Sequence, residues 1–68
     1  MKELNLSDNR IYRIPVLKKV KYEKLEKLNL ENNYISTINL KKDNFKELNV
    51  YNNEIHDINL LEKVEYKY

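Results

Sequence analysis

Ser36, His56 and Asp57 are the residues in this chain whose types invite a catalytic reading. Ser36 and His56 fall at equivalent places in a recurring pattern, and Asp57 follows His56 directly. A serine nucleophile needs a histidine within hydrogen-bond reach, a carboxylate behind that histidine, and donors for the developing oxyanion. Adjacent His56 and Asp57 would have to turn toward each other. The chain has no glycine from which to build an oxyanion hole or a phosphate-cradling loop. A single histidine, with no cysteine and no clustered carboxylates, also offers no zinc or calcium ligand set. The expectation is therefore no catalytic residue, no metal, no cofactor and no enzyme activity.

The side chains with more to do are amides. "LNLSDNRIYRI" (Leu4 to Ile14), "LNLENNYISTI" (Leu28 to Ile38) and "LNVYNNEIHDI" (Leu48 to Ile58) say nearly the same thing three times. Leu4, Leu28 and Leu48 share one column, and Leu6, Leu30 and Val50 the next. Asn9, Asn33 and Asn53 follow, then Ile11, Ile35 and Ile55, then Ile14, Ile38 and Ile58, with Met1, Leu25 and Phe45 three residues ahead of each repeat. A polar residue between two apolar ones predicts a short strand with one buried face, near residues 3–6, 27–30 and 47–50. A tight bend after each strand leaves main-chain N–H and C=O groups without sheet partners. An inward amide, with two donors and an acceptor, can satisfy them. Asn9, Asn33 and Asn53 are thus expected to be buried. Asn32 and Asn52, matching Asp8, are expected to point outward and to be free for function.

The template L-x-x-L-x-L-x-x-N-x-I-x-x-I, met three times over most of the chain, resembles the leucine-rich repeat, and its "NxIxxI" ending resembles the internalin-like short-repeat class. The resemblance implies an α/β-type repeat solenoid: one domain of three coils (1–24, 25–44 and 45–68), a parallel sheet on the concave face, and irregular or short helical return segments. The tail poses a choice. Aligning "IPVLKKVKY" with "INLLEKVEY" sets Leu17 against Leu61, Val20 against Val64 and Tyr22 against Tyr66, which reads the tail as a return segment over the core's open end. A fourth strand with Val64 and Tyr66 in the leucine columns would need an offset too short for a full coil. Three strands are expected, not four.

The resemblance also implies a concave binding surface for another protein. Its candidate residues are Asn5, Asn29 and Asn49 within the strands, Ser7, Glu31 and Tyr51 after them, Asp8, Asn32 and Asn52 at the bend, and Arg10, Tyr34 and Glu54 beyond it. Asn5, Asn29 and Asn49 could form a hydrogen-bonded amide ladder, whereas Tyr34 and Tyr51 combine area with a polar tip, as interface residues do. Ahead of the strands, Lys2–Glu3, Glu26–Lys27 and Lys46–Glu47 set opposite charges side by side, a ladder that helps fix register.

Length and composition bound the rest. Sixty-eight residues with 41% hydrophobic content make one small globular domain. No apolar run is long enough to cross a membrane or to act as a signal peptide, and a cytoplasmic setting is expected. The net charge of +2 does not by itself call for a polyanion. A basic convex stretch, Lys18 to Lys24 with Lys41 and Lys42, is the basis of a competing nucleic-acid reading. A chain this small could inhibit a larger enzyme by occlusion, and a structural block of a longer solenoid is the other alternative. With no strand expected outside the first or the third, the sheet should be open at both edges. Self-association, most simply a two-fold dimer, or docking of an end onto the partner follows.

Overall fold

A computed structural model describes residues 2–13, 24–40, 45–60 and 64–67. Six strands run through them: β1 (Glu3–Asn5), β2 (Lys27–Asn29), β3 (Thr37–Leu40), β4 (Glu47–Asn49), β5 (Asp57–Leu60) and β6 (Glu65–Lys67). They form two parallel sheets, one in the order β1-β2-β4-β6 and the other pairing β3 with β5.

Strands β1, β2 and β4 stand where the Leu-Asn alternation puts them. Their register matches the repeat columns, with Leu4 beside Leu28 and Leu28 beside Leu48. Alternation turns Leu28 and Leu48 into the core and leaves Asn29 and Asn49 half-buried on the other face. Main-chain bonds continue past the strand ends. Leu6 N–H donates to Asn29 O (2.8 Å), Leu30 N–H to Asn49 O (2.7 Å) and Asn32 N–H to Tyr51 O (2.9 Å). The core between the two sheets gathers Leu25, Leu28, Leu30, Ile35, Ile38, Phe45, Leu48, Val50 and Val64, with Leu4, Leu6, Ile11, Ile55 and Ile58 packed half-buried around it. Burying each such side chain contributes about 1.5–3 kcal/mol. The middle repeat therefore holds the densest part of the fold.

One expectation fails here, the count of three strands. The tail enters the sheet as β6, pairing Glu65 with Glu47, Tyr66 with Leu48 and Lys67 with Asn49. Glu65 N–H donates to Lys46 O (2.9 Å), and Val50 N–H donates to Lys67 O (2.8 Å). The rejected fourth strand placed Val64 and Tyr66 in the two leucine columns. The actual register slides the tail by two residues, so Tyr66 takes the Leu48 column while Val64 still covers the core. The extended stretch Asp57–Leu60 advances about 3.3 Å per residue against about 1.5 Å in a helix, so the coil from β4 to β6 closes with few residues. No helix occurs among the described residues, and the wall opposite the larger sheet is the β3–β5 pair, with Ile38 beside Ile58. The proposed returns at 14–23, 41–44 and 61–63, with Leu17, Val20, Tyr22 and Leu61, lie outside the described residues, as does Met1.

Candidate protein-binding face

Each repeat spends its polar residues on the turn that ends its strand. Asn5, Asn29 and Asn49 come first. Each side-chain Oδ1 accepts the N–H two residues on, from Ser7 (2.9 Å), Glu31 (2.9 Å) and Tyr51 (3.0 Å). This is the local Asx turn that asparagine favours at strand ends. The three amides therefore do not form the ladder with one another that their column suggested. Asn49 Nδ2 reaches sideways to Glu31 Oε1 instead (3.3 Å).

The ladder exists in the next polar column. Asn52 Nδ2 donates to Asn32 Oδ1 (2.7 Å), and Asn32 Nδ2 donates to Asp8 Oδ1 (2.6 Å). The same three residues have φ of 55°, 60° and 58°, in the left-handed region. Asparagine and aspartate tolerate that conformation better than other side chains, and this chain has no glycine to use instead. The side chains of Asn32 and its equivalents are thus engaged with one another at the bend. The signal was available in the sequence: an Asn or Asp at a fixed bend position in a glycine-free chain.

The inward column completes the turn. Asn33, 4% exposed, accepts from Ile11 N–H at Oδ1 (3.0 Å) and donates from Nδ2 to Leu6 O (3.0 Å), Leu30 O (2.9 Å) and Glu31 O (3.3 Å). Asn53 repeats this one coil on, accepting from Ile35 N–H (2.9 Å) and donating to Leu30 O (2.9 Å), Val50 O (3.0 Å) and Tyr51 O (3.1 Å). Among the described residues Asn9 reaches only its own repeat's carbonyls, Leu6 O (2.9 Å) and Ser7 O (3.1 Å). Among the three, only Asn33 is buried. Asn53 is half-buried and Asn9 is exposed, because the described residues place no repeat before Asn9 and do not cover Asn53 from the far side.

The outward strand residues line an open groove of about 810 Å³ across all four strands of the larger sheet. Asn5, Asn29 and Asn49 are in it, and so are Glu65 and Lys67, which the reading of the tail as a return segment left off this face. Along the preceding column Lys27 Nζ lies 3.5 Å from Glu3 and 4.0 Å from Glu47, while Lys46 Nζ lies 3.3 Å from Glu26. The charge ladder is therefore made. Ser7 and Glu31 are half-buried at the groove's end, and Arg10 and Glu54 are exposed past the bend. Tyr34 and Tyr51 remain 62% and 48% exposed. Tyr12, also exposed, carries Arg13 over its ring at 5.8 Å.

On the opposite wall His56 N–H donates to Ser36 O (2.8 Å), a main-chain contact. Among the described residues no hydrogen bond joins the side chains of Ser36, His56 and Asp57, and no group of His, Cys, Asp or Glu is arranged to hold a metal. No helix among them is long and apolar enough to cross a membrane. Of the basic residues in the competing nucleic-acid reading, Lys24 is exposed, whereas Lys18, Lys19, Lys21, Lys41 and Lys42 lie outside the described residues.

Comparison with curated proteins gives no match, and neither does comparison with solved structures. A family model described as leucine-rich repeats (2 copies) matches residues 1–42. That span holds the first two repeats and the bends that Asn9 and Asn33 organise. The remaining strands add to the same sheets in register. By this match, and by repeats whose leucines, asparagines and isoleucines keep their columns in space, the chain belongs to the leucine-rich-repeat family.

Proposed function

We propose that this chain is a non-catalytic binding module that engages another protein through its concave side, with Tyr51 and Tyr34 as the main anchors. Leucine-rich-repeat domains are generally protein-interaction modules. The observation that carries the reading is the contrast between exposed rings and a pinned backbone. Tyr51 N–H is held by Asn49 Oδ1, and its carbonyl takes Asn32 N–H and Asn53 Nδ2. Tyr34 N–H is held by Ile11 O. Two large amphipathic side chains on a fixed frame lose little freedom on binding, which favours them as hot spots. The Asn and Asp columns are engaged in building turns and the ladder between them, so they supply shape and a polar rim. A module of this size acts most simply by occluding a larger protein or enzyme, and a cytoplasmic setting fits its lack of cysteine.

The test compares capture from an extract of the source organism by the immobilised wild-type chain and by four variants. Proteins bound through the concave side are retained by Lys41→Ala and Lys42→Ala. They are lost by about tenfold or more with Tyr51→Ala and Tyr34→Ala. Loss concentrated in the lysine variants, with affinity falling steeply in salt, would overturn this reading in favour of a polyanion on the basic side.

A further inference from the structure

The exposed rings of Tyr34 and Tyr51 each have a carboxylate for a neighbour. The register that sets β2 beside β4 continues past the strand ends, where Asn32 N–H donates to Tyr51 O (2.9 Å) and Glu54 N–H to Ile35 O (3.1 Å). Glu31 therefore stands beside Tyr51, and Glu54 beside Tyr34. Across the bend the middle repeat runs carboxylate then ring, and the next repeat runs ring then carboxylate. Each ring thus has an acidic residue one coil away.

Neither carboxylate meets a cation of this chain among the described residues. Glu54 is exposed and has no ion-pair or side-chain hydrogen-bond partner there. Glu31 accepts from the neutral amide of Asn49 (3.3 Å) and forms no ion pair. Arg10, in the column of Tyr34 and Glu54, is exposed and pairs with neither carboxylate. The imbalance extends over the whole face. The groove and the bend residues Asp8, Arg10, Glu31 and Glu54 together carry six carboxylates and three cations, on a chain whose net charge is +2.

An aromatic face attracts a cation, and a guanidinium can lie on a ring while its N–H groups reach a carboxylate. The chain uses the first half of this chemistry elsewhere, with Arg13 over the Tyr12 ring at 5.8 Å. Among the described residues no cation lies over Tyr34 or Tyr51. We propose that the concave side takes a basic segment of its protein partner, with arginine side chains laid on Tyr34 and Tyr51 and their charged ends against Glu54 and Glu31. This rests on the reading of those tyrosines as anchors and adds the chemistry of what they hold. An acidic partner would meet repulsion beside both rings. A purely apolar one would strip water from two carboxylates without giving them a counter-charge.

Titration of the isotope-labelled full chain with defined peptides, followed through its amide signals, tests the proposal. The probe is a short peptide with arginine at alternate positions, and its controls replace every arginine by neutral citrulline or by glutamate. The arginine peptide should shift the amides of Glu31, Tyr34, Tyr51 and Glu54. At low salt it should bind about tenfold tighter than the citrulline peptide, and salt at about 1 M should remove that advantage. The glutamate peptide should shift none of the four. Glu54→Lys should weaken the arginine peptide by about tenfold, and Glu31→Gln, which keeps an acceptor for Asn49, by about threefold. Unmoved amide signals of Leu28 and Ile38 in these variants show that the core is intact. Equal binding of arginine and citrulline peptides, or full affinity in Glu54→Lys, would overturn the proposal. Tighter binding of the glutamate peptide would overturn it in favour of an acidic partner. In each of these cases the anchor reading still stands if Tyr51→Ala and Tyr34→Ala lose the captured proteins. If those two variants retain them, the anchor reading falls and this proposal with it.

Discussion

The first and middle repeats have almost the same sequence around the bend, "LSDN" against "LENN", yet they live in different surroundings. Asn33 is enclosed and makes four hydrogen bonds, two of them to groups of the first repeat. Asn9 makes two, both within its own repeat, and is exposed. Leu28 and Leu30 are buried where Leu4 and Leu6 are only half-buried. A repeat gains its stability from neighbours on both sides, so position in the stack outweighs local sequence. The middle repeat is where a leucine-rich-repeat turn does its full task, since its amide also closes the repeat before it.

The largest expected effect tests this directly. Asn33→Ala should destabilise the fold by roughly 1–3 kcal/mol, because Ile11 N–H and the Leu6 and Leu30 carbonyls all lose a partner. Asn53→Ala should cost less, since its site is half-open to water. Asn9→Ala should cost within about 0.5 kcal/mol, as exposed substitutions usually do. Denaturant melts of the three variants give the order. Three equal losses would mean that each amide serves only its own turn and that the neighbour argument is wrong.

A smaller effect concerns the bend residues in the left-handed conformation. Asn32→Ala and Asp8→Ala should each cost about 1–2 kcal/mol, the penalty of a Cβ in that region. Asn32→Gly and Asp8→Gly relieve that penalty while still deleting the side chain. What remains after the glycine change is the ladder alone. It should be larger at Asn32, which both donates to Asp8 and accepts from Asn52. If alanine and glycine are equally harmful by thermal melting at both sites, conformation is not what selects these residues.

The parts of the molecule that were legible in the sequence are those written in apolar columns. Leu4, Leu28 and Leu48 announced β1, β2 and β4 and their register, because alternation around a buried face fixes both. β6 was illegible for the same reason in reverse. Glu65, Tyr66 and Lys67 put no leucine in the column, and its pairing rests on main-chain groups that carry no sequence signature. β3 and β5 were hidden because "TINL" and "DINL" are short apolar runs that periodicity cannot assign. On the candidate face, the exposure of Tyr34 and Tyr51 followed from slots that ask for no apolar residue. The turn duty of Asn29 did not, since an outward polar position reads alike whether its side chain bonds to solvent or to its own backbone.

The charges ahead of the strands offer the smallest and most condition-dependent version of the same comparison. Lys27, in the middle, lies between Glu3 and Glu47, whereas Lys46 has Glu26 as its one carboxylate partner among the described residues. All of these groups are at least partly solvent-exposed, and exposed pairs contribute about 0–1 kcal/mol each. Lys27→Met should therefore cost no more than about 1 kcal/mol, and part of that is repulsion left between Glu3 and Glu47 across the vacated place. Lys46→Met leaves no such opposed pair and should cost less, although its single contact is the shorter one. Raising the salt to about 1 M shortens the screening length to about 3 Å and should bring both variants to wild-type stability. Lys46→Met costing more than Lys27→Met at low salt would show that one close contact outweighs two flanking ones. The advantage of a middle position would then hold for the amides and not for the charges.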